Sequence, residues 1–269
     1  DEVPDVQNEP GAVDLPRING LVKYEHVDFS YVEGQQILFD VNFTISKGQT
    51  VAFVGATGAG KSSIINLLCR FYDPQDGKIT IDGKDIRHVT LHSLRSQMGI
   101  VLQDTFIFSG TIRDNIRYGK LNATNEEIID TAKAVNAHDF IMRLPDGYDT
   151  QVHERGSRLS VGQRQLISFA RTLLSDPAIL ILDEATSSVD AYTELLIQQA
   201  LDRLLTGRTA LVIAHRLSTI RNADCIYTME HGRIMQSGTH IELLQQEGVY
   251  KRLYEMQFKD QEDYDVMHK

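Results

Sequence analysis

Cysteine is scarce in this chain, where only Cys69 and Cys225 occur among 269 residues. They lie far apart, and neither has another Cys or a His at the spacing of metal ligands. Neither a disulfide framework nor a zinc site is therefore indicated. Both lie in apolar runs, which predicts reduced core residues in a protein of a reducing, cytoplasmic setting.

Positive charge is also in short supply. The chain has 27 Lys and Arg against 37 Asp and Glu, which gives a formal net charge of -10. Broad electrostatic binding to nucleic acid needs a surplus of basic residues along one face. We therefore expect no nucleic acid partner, and the composition leaves room only for a local basic patch.

Long apolar runs are missing as well. No stretch reaches the roughly 18 consecutive apolar residues that cross a bilayer, and the acidic N-terminus lacks signal-peptide character. We therefore expect the chain as given to be soluble. Its 42% hydrophobic and 24% charged residues are typical of a globular protein with one or two subdomains.

Changes in composition divide the chain into three parts. Residues 1–20 are rich in acidic residues and proline, and we interpret them as a flexible linker or arm. The domain proper is expected over residues 21–258, followed by a C-terminal tail over 259–269. Within residues 21–45, two runs have strand character, and the second alternates between apolar and polar residues. This pattern predicts an N-terminal antiparallel β subdomain.

The centre of the domain has an α/β pattern. Residues 50–54 form a short apolar run that leads into a glycine-rich loop, and residues 61–71 show helical spacing. Helical segments separate further buried-strand candidates at residues 98–102, 179–182, 209–214 and 224–229. Such a succession predicts a mainly parallel sheet covered on both faces.

A helical insertion is expected over about residues 104–175. The strand signal disappears between Ser109 and Leu174, and helical patterns dominate, as at residues 126–135 and 163–174. We interpret this part as an α-helical subdomain inserted into the α/β core.

Residues 55–62, Gly-Ala-Thr-Gly-Ala-Gly-Lys-Ser, have the spacing of a phosphate-binding loop between a buried strand and a helix. Small residues let backbone N–H groups surround phosphates, and the helix adds its positive N-terminal end. Lys61 would reach the β- and γ-phosphates, and the Ser62 hydroxyl would bind Mg²⁺. A chance glycine-rich turn is the alternative. We expect ATP contacts from Gly55, Thr57, Gly58, Ala59, Gly60, Lys61, Ser62 and Ser63.

Two carboxylates follow the apolar run at residues 179–182. Asp183 ends this predicted strand, where phosphate-loop enzymes place a second group that positions magnesium. Glu184 lies beside it and is suited to accept a proton from the water that attacks the γ-phosphate. The pair predicts a metal-positioning residue and a catalytic base, whereas a solvated acidic turn is the alternative.

Residues 159–163, Leu-Ser-Val-Gly-Gln, make the chain resemble the ATP-binding cassette (ABC) family, whose signature usually reads Leu-Ser-Gly-Gly-Gln. The resemblance covers residues 21–258, and the order of motifs is similar to that of nucleotide-binding domains of multidrug and lipid exporters. It implies a P-loop NTPase core with an N-terminal antiparallel β subdomain and an inserted helical subdomain.

The resemblance also implies roles for single residues. Tyr31 matches the aromatic residue on which adenine stacks. Gln103 matches the Q-loop glutamine, which contacts magnesium or the attacking water. Asp190 matches the D-loop residue at a dimer interface. His215 matches the switch histidine that contacts the γ-phosphate, and there it would stabilise developing charge.

The sequence departs from the family pattern at two positions. Val161 stands where the signature usually has its first glycine, and His153 stands where the exporter X-loop usually has another glycine. Glu154, Arg155 and Gly156 are otherwise similar to that X-loop, which contacts the transmembrane domains. We expect function to survive, because a side chain at Val161 need not displace its neighbours in the signature.

In the family, two nucleotide-binding domains pair head to tail around ATP. The resemblance thus implies that an identical or homologous chain supplies its Ser160, Val161, Gly162 and Gln163 to each site. It further implies a transmembrane domain as partner and a place at the cytoplasmic face of the cell membrane. Our first hypothesis is therefore the ATP-hydrolysing domain of an ABC exporter, with the acidic arm as its linker.

Two other functions are alternatives to export. A soluble ABC ATPase acting on nucleic acid or ribosomes is the alternative, but its chromosomal members carry a long coiled-coil insertion. Here only 55 residues lie between Gln103 and Leu159. A regulatory module that binds ATP without turnover is disfavoured because Glu184 and His215 are both present.

Overall fold

A computed structural model describes residues 6–102, 105–152, 156, 159–183, 189–214 and 216–257. The predictions that concern Gln103, His153, Glu154, Arg155, Glu184 and His215 fall outside the described residues.

The chain divides into two compact units. The first comprises Asp1–Met98, Ala178–Glu184 and Arg208–Lys269, and the second comprises Gly99–Pro177 and Ala185–Gly207. The helical subdomain expected over about residues 104–175 falls within the second unit.

The strands are β1 (Val22–Ser30), β2 (Gln36–Ile45), β3 (Thr50–Gly55), β4 (Asp76–Ile81), β5 (Lys84–Asp85), β6 (Met98–Val101), β7 (Gly110–Thr111), β8 (Gln151–Val152), β9 (Ile179–Asp183), β10 (Thr209–Ile213), β11 (Cys225–Glu230) and β12 (Arg233–Gly238). The α-helices are α1 (Lys61–Leu68), α2 (Leu91–Arg95), α3 (Ile112–Arg117), α4 (Asn125–Ala134), α5 (His138–Met142), α6 (Val161–Leu174), α7 (Ala191–Leu205), α8 (Leu217–Asn222), α9 (His240–Leu244) and α10 (Val249–Gln257). Short 3₁₀ helices occupy Ile86–His88 and Gly147–Asp149.

A mainly parallel sheet forms the core of the first unit. Its strands lie in the order β12-β11-β3-β10-β9, and β3 pairs in parallel with both β10 and β11. The side chains of β10 are buried throughout, so its continuous apolar run has no polar face. The predicted α/β core is confirmed. The antiparallel edge strand β12, with its alternation of exposed and half-buried residues, was not predicted.

A second, antiparallel sheet in this unit has the order β2-β1-β4-β5. The two strands predicted over residues 21–45 are confirmed as β1 and β2. Strand β4 was not predicted, because its first half is Asp-Gly-Lys and only its last three residues are buried. The rings of Phe43 and Phe53 pack at 5.1 Å, so apolar contacts join β2 to β3.

The arm before β1 is docked on the first unit. Val13 forms a parallel bridge with Val89, and the backbone N–H of Leu15 donates to Ser93 Oγ at 2.8 Å. The N–H of Ile18 donates to Gln97 Oε1 at 2.8 Å, and Leu15 and Ile18 are both buried. Ordered structure therefore begins before Leu21, contrary to our expectation, since partners some 80 residues away in sequence leave no local pattern.

Helices form most of the second unit, where α6 packs against α3, α4 and α7. The helices expected at residues 126–135 and 163–174 are confirmed as α4 and α6. The short pairing of β7 with β8 was not predicted, because two residues per strand give no periodicity. None of the described helices has the length and apolar character required to span a bilayer.

Candidate functional site

The phosphate loop joins β3 to α1 in the first unit. Gly60 has a φ of 101°, and a Cβ there would lie 2.7 Å from Leu38 Cδ2. A Cβ on Gly55 would lie 2.3 Å from the Met229 carbonyl oxygen, and Gly58 has a φ of 81°. Glycine is therefore required at all three positions by close approach or by backbone conformation. The intervening loop tip, which includes Thr57 and Gly58, is exposed.

The loop is anchored at its base. The Ala59 carbonyl accepts a hydrogen bond of 3.1 Å from the N–H of Gly232, in the turn between β11 and β12. Ala59 and Gly60 are buried beneath the exposed tip. This hydrogen bond ties the base of the loop to the turn between β11 and β12.

Lys61 lies at the first position of α1, with 8% of its surface exposed. Its Nζ donates to the carbonyl oxygens of Gly55 at 2.7 Å and Ala56 at 3.1 Å. Burial lowers the pKa of Lys61 below its usual value, and the attraction of Asp183 opposes this shift. The loop thus holds a partly desolvated cation at the positive end of a helix, which suits an anionic ligand.

Ser62 and Asp183 are the candidate ligands for a metal ion. Ser62 is exposed in the first turn of α1, and Asp183 is the half-buried last residue of β9. Strand β9 pairs with β10, which pairs with β3, so Asp183 and the loop lie at the same edge of the sheet. A hydroxyl and a carboxylate are hard oxygen donors of the kind that Mg²⁺ prefers. This donor set fits Mg²⁺.

Tyr31 lies close to the same helix. Its ring contacts Phe29 at 4.7 Å and Tyr72 at 4.9 Å between centroids, both nearly perpendicular, and 40% of the residue is exposed. Its hydroxyl is hydrogen-bonded to Ser63 and Asn66 of α1. An aromatic surface is thus supported beside the phosphate loop, where a flat base could stack.

Several predicted catalytic residues are known here only by their place in the chain. Glu184 directly follows Asp183, and His215 follows Ala214, just beyond β10. Together with Gln103 they lie outside the described residues. Their roles stay predictions.

The signature forms the N-terminus of α6 in the second unit. Ser160 caps the helix, accepting a hydrogen bond from the N–H of Gln163 at 3.2 Å. Gln163 Oε1 in turn accepts one from the N–H of Ser160 at 3.0 Å. Val161 is 43% exposed, so its side chain leaves this reciprocal cap intact.

Gly162 and Asp190 meet at one threonine of α7. A Cβ on Gly162 would lie 2.2 Å from Thr193 Cγ2, so α6 and α7 approach too closely for any side chain there. Asp190 caps α7 by accepting from the N–H and the hydroxyl of Thr193, at 3.0 and 2.6 Å. These bonds lower the pKa of the Asp190 carboxyl. The signature and the D-loop residue are therefore joined through Thr193.

Three residues that shape these sites were not predicted from the sequence. Asn66 is a polar residue within the apolar run of α1, and that interruption was its only signal. Thr193 stands three residues after a capping aspartate, a spacing that is common at helix N-termini and therefore gives no specific signal. Arg171 donates to the carbonyl oxygens of Phe106 and Asn115 in the second unit, at 3.0 and 2.9 Å, which no local pattern predicts.

The cysteines fall in different environments. Cys69 is buried, and burial raises the pKa of its thiol to about 12. Cys225 is only half-buried, so the prediction that both are core residues is wrong for Cys225. Cys225 is the first residue of β11, and the end of the strand is less buried than its middle.

A buried parallel strand, a glycine loop with its lysine, and the following helix define a P-loop nucleotide-binding protein. The sequence model described as "ABC transporter" matches residues 38–187. The chain therefore belongs to the ABC transporter family.

Relatives and a solved structure agree with this assignment. An ATP-dependent lipid A-core flippase of Syntrophus aciditrophicus is 52% identical over 97% of this chain and 43% of its own length. A putative multidrug export ATP-binding/permease protein of Staphylococcus aureus is 51% identical over 96% of this chain and 45% of its own. A bacterial Atm1-family ABC exporter with ATP bound matches with a TM-score of 0.89 and 44% identity, over 94% of this chain and 44% of the other. The chain spans less than half the length of these proteins.

Proposed function

We propose that this chain binds and hydrolyses Mg-ATP as the nucleotide-binding domain of an ABC exporter. The observation that carries the proposal is the phosphate loop, in which Lys61 Nζ is held against the loop carbonyls at the start of α1. The phosphate oxygens of a bound triphosphate would contact this cation and accept hydrogen bonds from the N–H groups of the helix N-terminus. Family membership and the kinship to exporters support the rest of the proposal.

ATP would lie with its base on Tyr31 and its phosphates in the loop. The exposed part of the Tyr31 ring offers a stacking surface, and the loop tip offers small residues that let phosphates approach the backbone. Ser62 and Asp183 would hold Mg²⁺ together with Gln103. Bound there, Mg²⁺ would neutralise charge on the β- and γ-phosphates.

Hydrolysis would depend on four residues. Glu184 would accept the proton of the water that attacks the γ-phosphate. Gln103 would orient that water, and His215 would donate a hydrogen bond to the γ-phosphate oxygens as charge develops. Lys61 would stabilise the same charge from the loop.

A second nucleotide-binding domain would complete each site. The capped N-terminus of α6 presents Ser160 and the first N–H groups of the helix, which together form an anion-binding end. Gln163 keeps this end in shape, while the exposed side chain of Val161 lies beside it. The γ-phosphate would then join two chains, and its release would separate them. Asp190 would lie at the interface between them.

A transmembrane domain would be the other partner. The second unit exposes Leu102, Phe106 and Tyr118, and Phe108 contacts both aromatic rings at 4.9 and 4.6 Å. Exposed apolar clusters of this kind suit protein contacts. With the X-loop at residues 154–156, this cluster would receive the cytoplasmic loops of the membrane domain. The chain would then work at the cytoplasmic face of the membrane.

The soluble alternative, an ABC ATPase acting on nucleic acid or ribosomes, is not favoured. The relatives reported above are named as a flippase and as an export protein, and the matched structure is an exporter. The net charge of -10 also argues against broad contact with nucleic acid.

Replacing Glu184 by Gln tests the proposal. The change removes the proton acceptor and keeps shape and size, so we expect ATP affinity to persist while phosphate release falls about 100-fold or more. The variant should accumulate as an ATP-bound dimer in size-exclusion chromatography with light scattering. Glu126→Gln, an exposed carboxylate of α4, is the matched control and should turn over normally. Near-normal phosphate release by Glu184→Gln would contradict the assignment.

A further inference from the structure

Two residues of helix α1 hold the hydroxyl of Tyr31. Asn66 Nδ2 donates a hydrogen bond of 2.8 Å to Tyr31 Oη, which in turn donates one of 3.1 Å to Ser63 Oγ. The amide nitrogen of Asn66 can only donate, so it occupies a lone pair of the phenol oxygen and leaves the single phenol proton for the bond to Ser63. The three side chains therefore form a chain of hydrogen bonds with one direction, which ends at Ser63.

Ser63 lies where this chain can act on a ligand. A serine hydroxyl has one proton to donate, and accepting from Tyr31 leaves that proton available. Ser63 is only 5% exposed, so water competes poorly for it. It follows Ser62 in the first turn of α1, where backbone N–H groups and the helix dipole favour an anionic acceptor. A phosphate oxygen in the loop is such an acceptor.

We propose that Asn66, Tyr31 and Ser63 form a hydrogen-bond relay that strengthens phosphate binding. Asn66 fixes the direction of the Tyr31 hydroxyl, and that hydroxyl polarises the O–H of Ser63 toward a phosphate oxygen. Tyr31 would thus act on both ends of the nucleotide, because its ring would stack on the base and its hydroxyl would support the contact of Ser63 with the phosphates. Asn66 is a positioning residue. The inference rests on the proposed nucleotide site.

The relay differs measurably from a role in which Asn66 and Ser63 merely hold the Tyr31 ring. Ring support alone affects only ligands that carry a base. The relay also affects ligands that consist of phosphates alone, because the hydrogen bond lost is the one that supports Ser63. Tyr31→Phe separates the two roles, since it keeps the ring and removes only the hydroxyl.

The test is calorimetric titration of the parent chain, Tyr31→Phe, Asn66→Leu and Ser63→Ala with Mg-ATP and with Mg-tripolyphosphate. Tyr31→Phe loses one net hydrogen bond, so it should bind each of the two ligands about two- to tenfold more weakly than the parent chain does. Asn66→Leu, close in shape to asparagine, should weaken both in the same direction. Tyr227→Phe is the matched control, because it removes a phenol hydrogen bond of 3.0 Å to the Thr44 carbonyl outside the relay.

A double-mutant cycle with Mg-ATP gives an independent measurement. If the Tyr31 hydroxyl acts through Ser63, Tyr31→Phe should cost little further affinity in a chain that already carries Ser63→Ala. Two results would overturn the relay. One is full additivity of the two changes, and the other is a loss of affinity by Tyr31→Phe for ATP but not for tripolyphosphate. A parent chain that binds neither ligand would instead refute the proposed function itself.

Discussion

Lys61 shows how a single residue prepares the site. Its ammonium group is nearly buried and is bound by two loop carbonyls, so it is held at the place where phosphates are expected. A buried cation is costly unless it is paired, and its pKa is lowered accordingly. A bound triphosphate would add negative charge beside this cation and raise its pKa again. We therefore expect nucleotide binding to depend on this lysine and on its proton.

Lys61→Ala should weaken ATP binding at least about tenfold, because a charge-assisted contact to phosphate is lost. In the parent chain, affinity should fall as pH rises toward the lowered pKa of Lys61, and binding there should take up a proton. Calorimetry at about pH 7 and about pH 9.5, in two buffers of different ionisation enthalpy, measures this uptake. Lys47→Ala, an exposed lysine, should change neither quantity. Unchanged affinity of Lys61→Ala would contradict the assignment of the loop.

At the scale of elements, the packing of α6 on α7 decides what the signature tolerates. Alanine normally replaces glycine in a helix with a gain of about 1 kcal/mol. At Gly162 the added Cβ would lie 2.2 Å from Thr193 Cγ2, so the helices would have to separate. The steric requirement for glycine at this position therefore outweighs its helix propensity.

Gly162→Ala should destabilise the chain by about 1–3 kcal/mol in urea unfolding, since overpacking forces the neighbours to move. Thr193→Ser removes the obstructing methyl group and keeps the hydroxyl that donates a hydrogen bond to Asp190. Added to Gly162→Ala, it should therefore restore most of the lost stability. Val161→Ala is the control and should change stability by less than about 0.5 kcal/mol, because 43% of that residue is exposed. A stabilised Gly162→Ala chain would refute the close approach.

The arm before β1 is another element whose role depends on packing. Leu15→Ala should lower the free energy of unfolding by about 2–4 kcal/mol, because a buried side chain leaves a cavity. Val13→Ala should cost much less, since Val13 is 55% exposed and pairs through its backbone. Urea unfolding of both variants measures the difference. Equal small effects would show that the arm is not docked in solution.

At the scale of the whole molecule, the proposed sites are shared between two chains. Lys61→Ala damages the phosphate loop of a chain, and Ser160→Asp damages its signature. Aspartate remains a good helix cap, so α6 should persist while the new charge repels the γ-phosphate. Each variant alone would form dimers in which both sites are defective.

Mixing the two variants should restore ATP hydrolysis, because each mixed dimer contains one site with an intact loop and an intact signature. A 1:1 mixture should reach about a quarter of the parental rate when exchange is random and sites act independently. Phosphate release measures the recovery, and each variant alone at the same total concentration is the control. A mixture no more active than its components would contradict a shared site.

The sequence by itself determined the class of fold and the kind of loop. The buried runs that became β3, β9 and β10 have no polar face, and a glycine loop followed by a helix start is a local pattern. Period and spacing act within a few residues, so they are readable without the tertiary structure. The signature was identified by its resemblance to the family motif, and its residues Ser160 and Gln163 cap α6 within one turn.

Only the tertiary structure decided which distant residues complete these elements. The arm is hydrogen-bonded to partners 78 and 79 residues away in sequence. Tyr31 is hydrogen-bonded to Ser63 and Asn66 of helix α1. Thr193 leaves no room for a side chain at Gly162. Strand β12 is identified by its pairing with β11, since half-buried edge residues carry little periodic signal. Contacts between segments far apart in sequence arise from packing, and packing leaves no pattern in either segment alone.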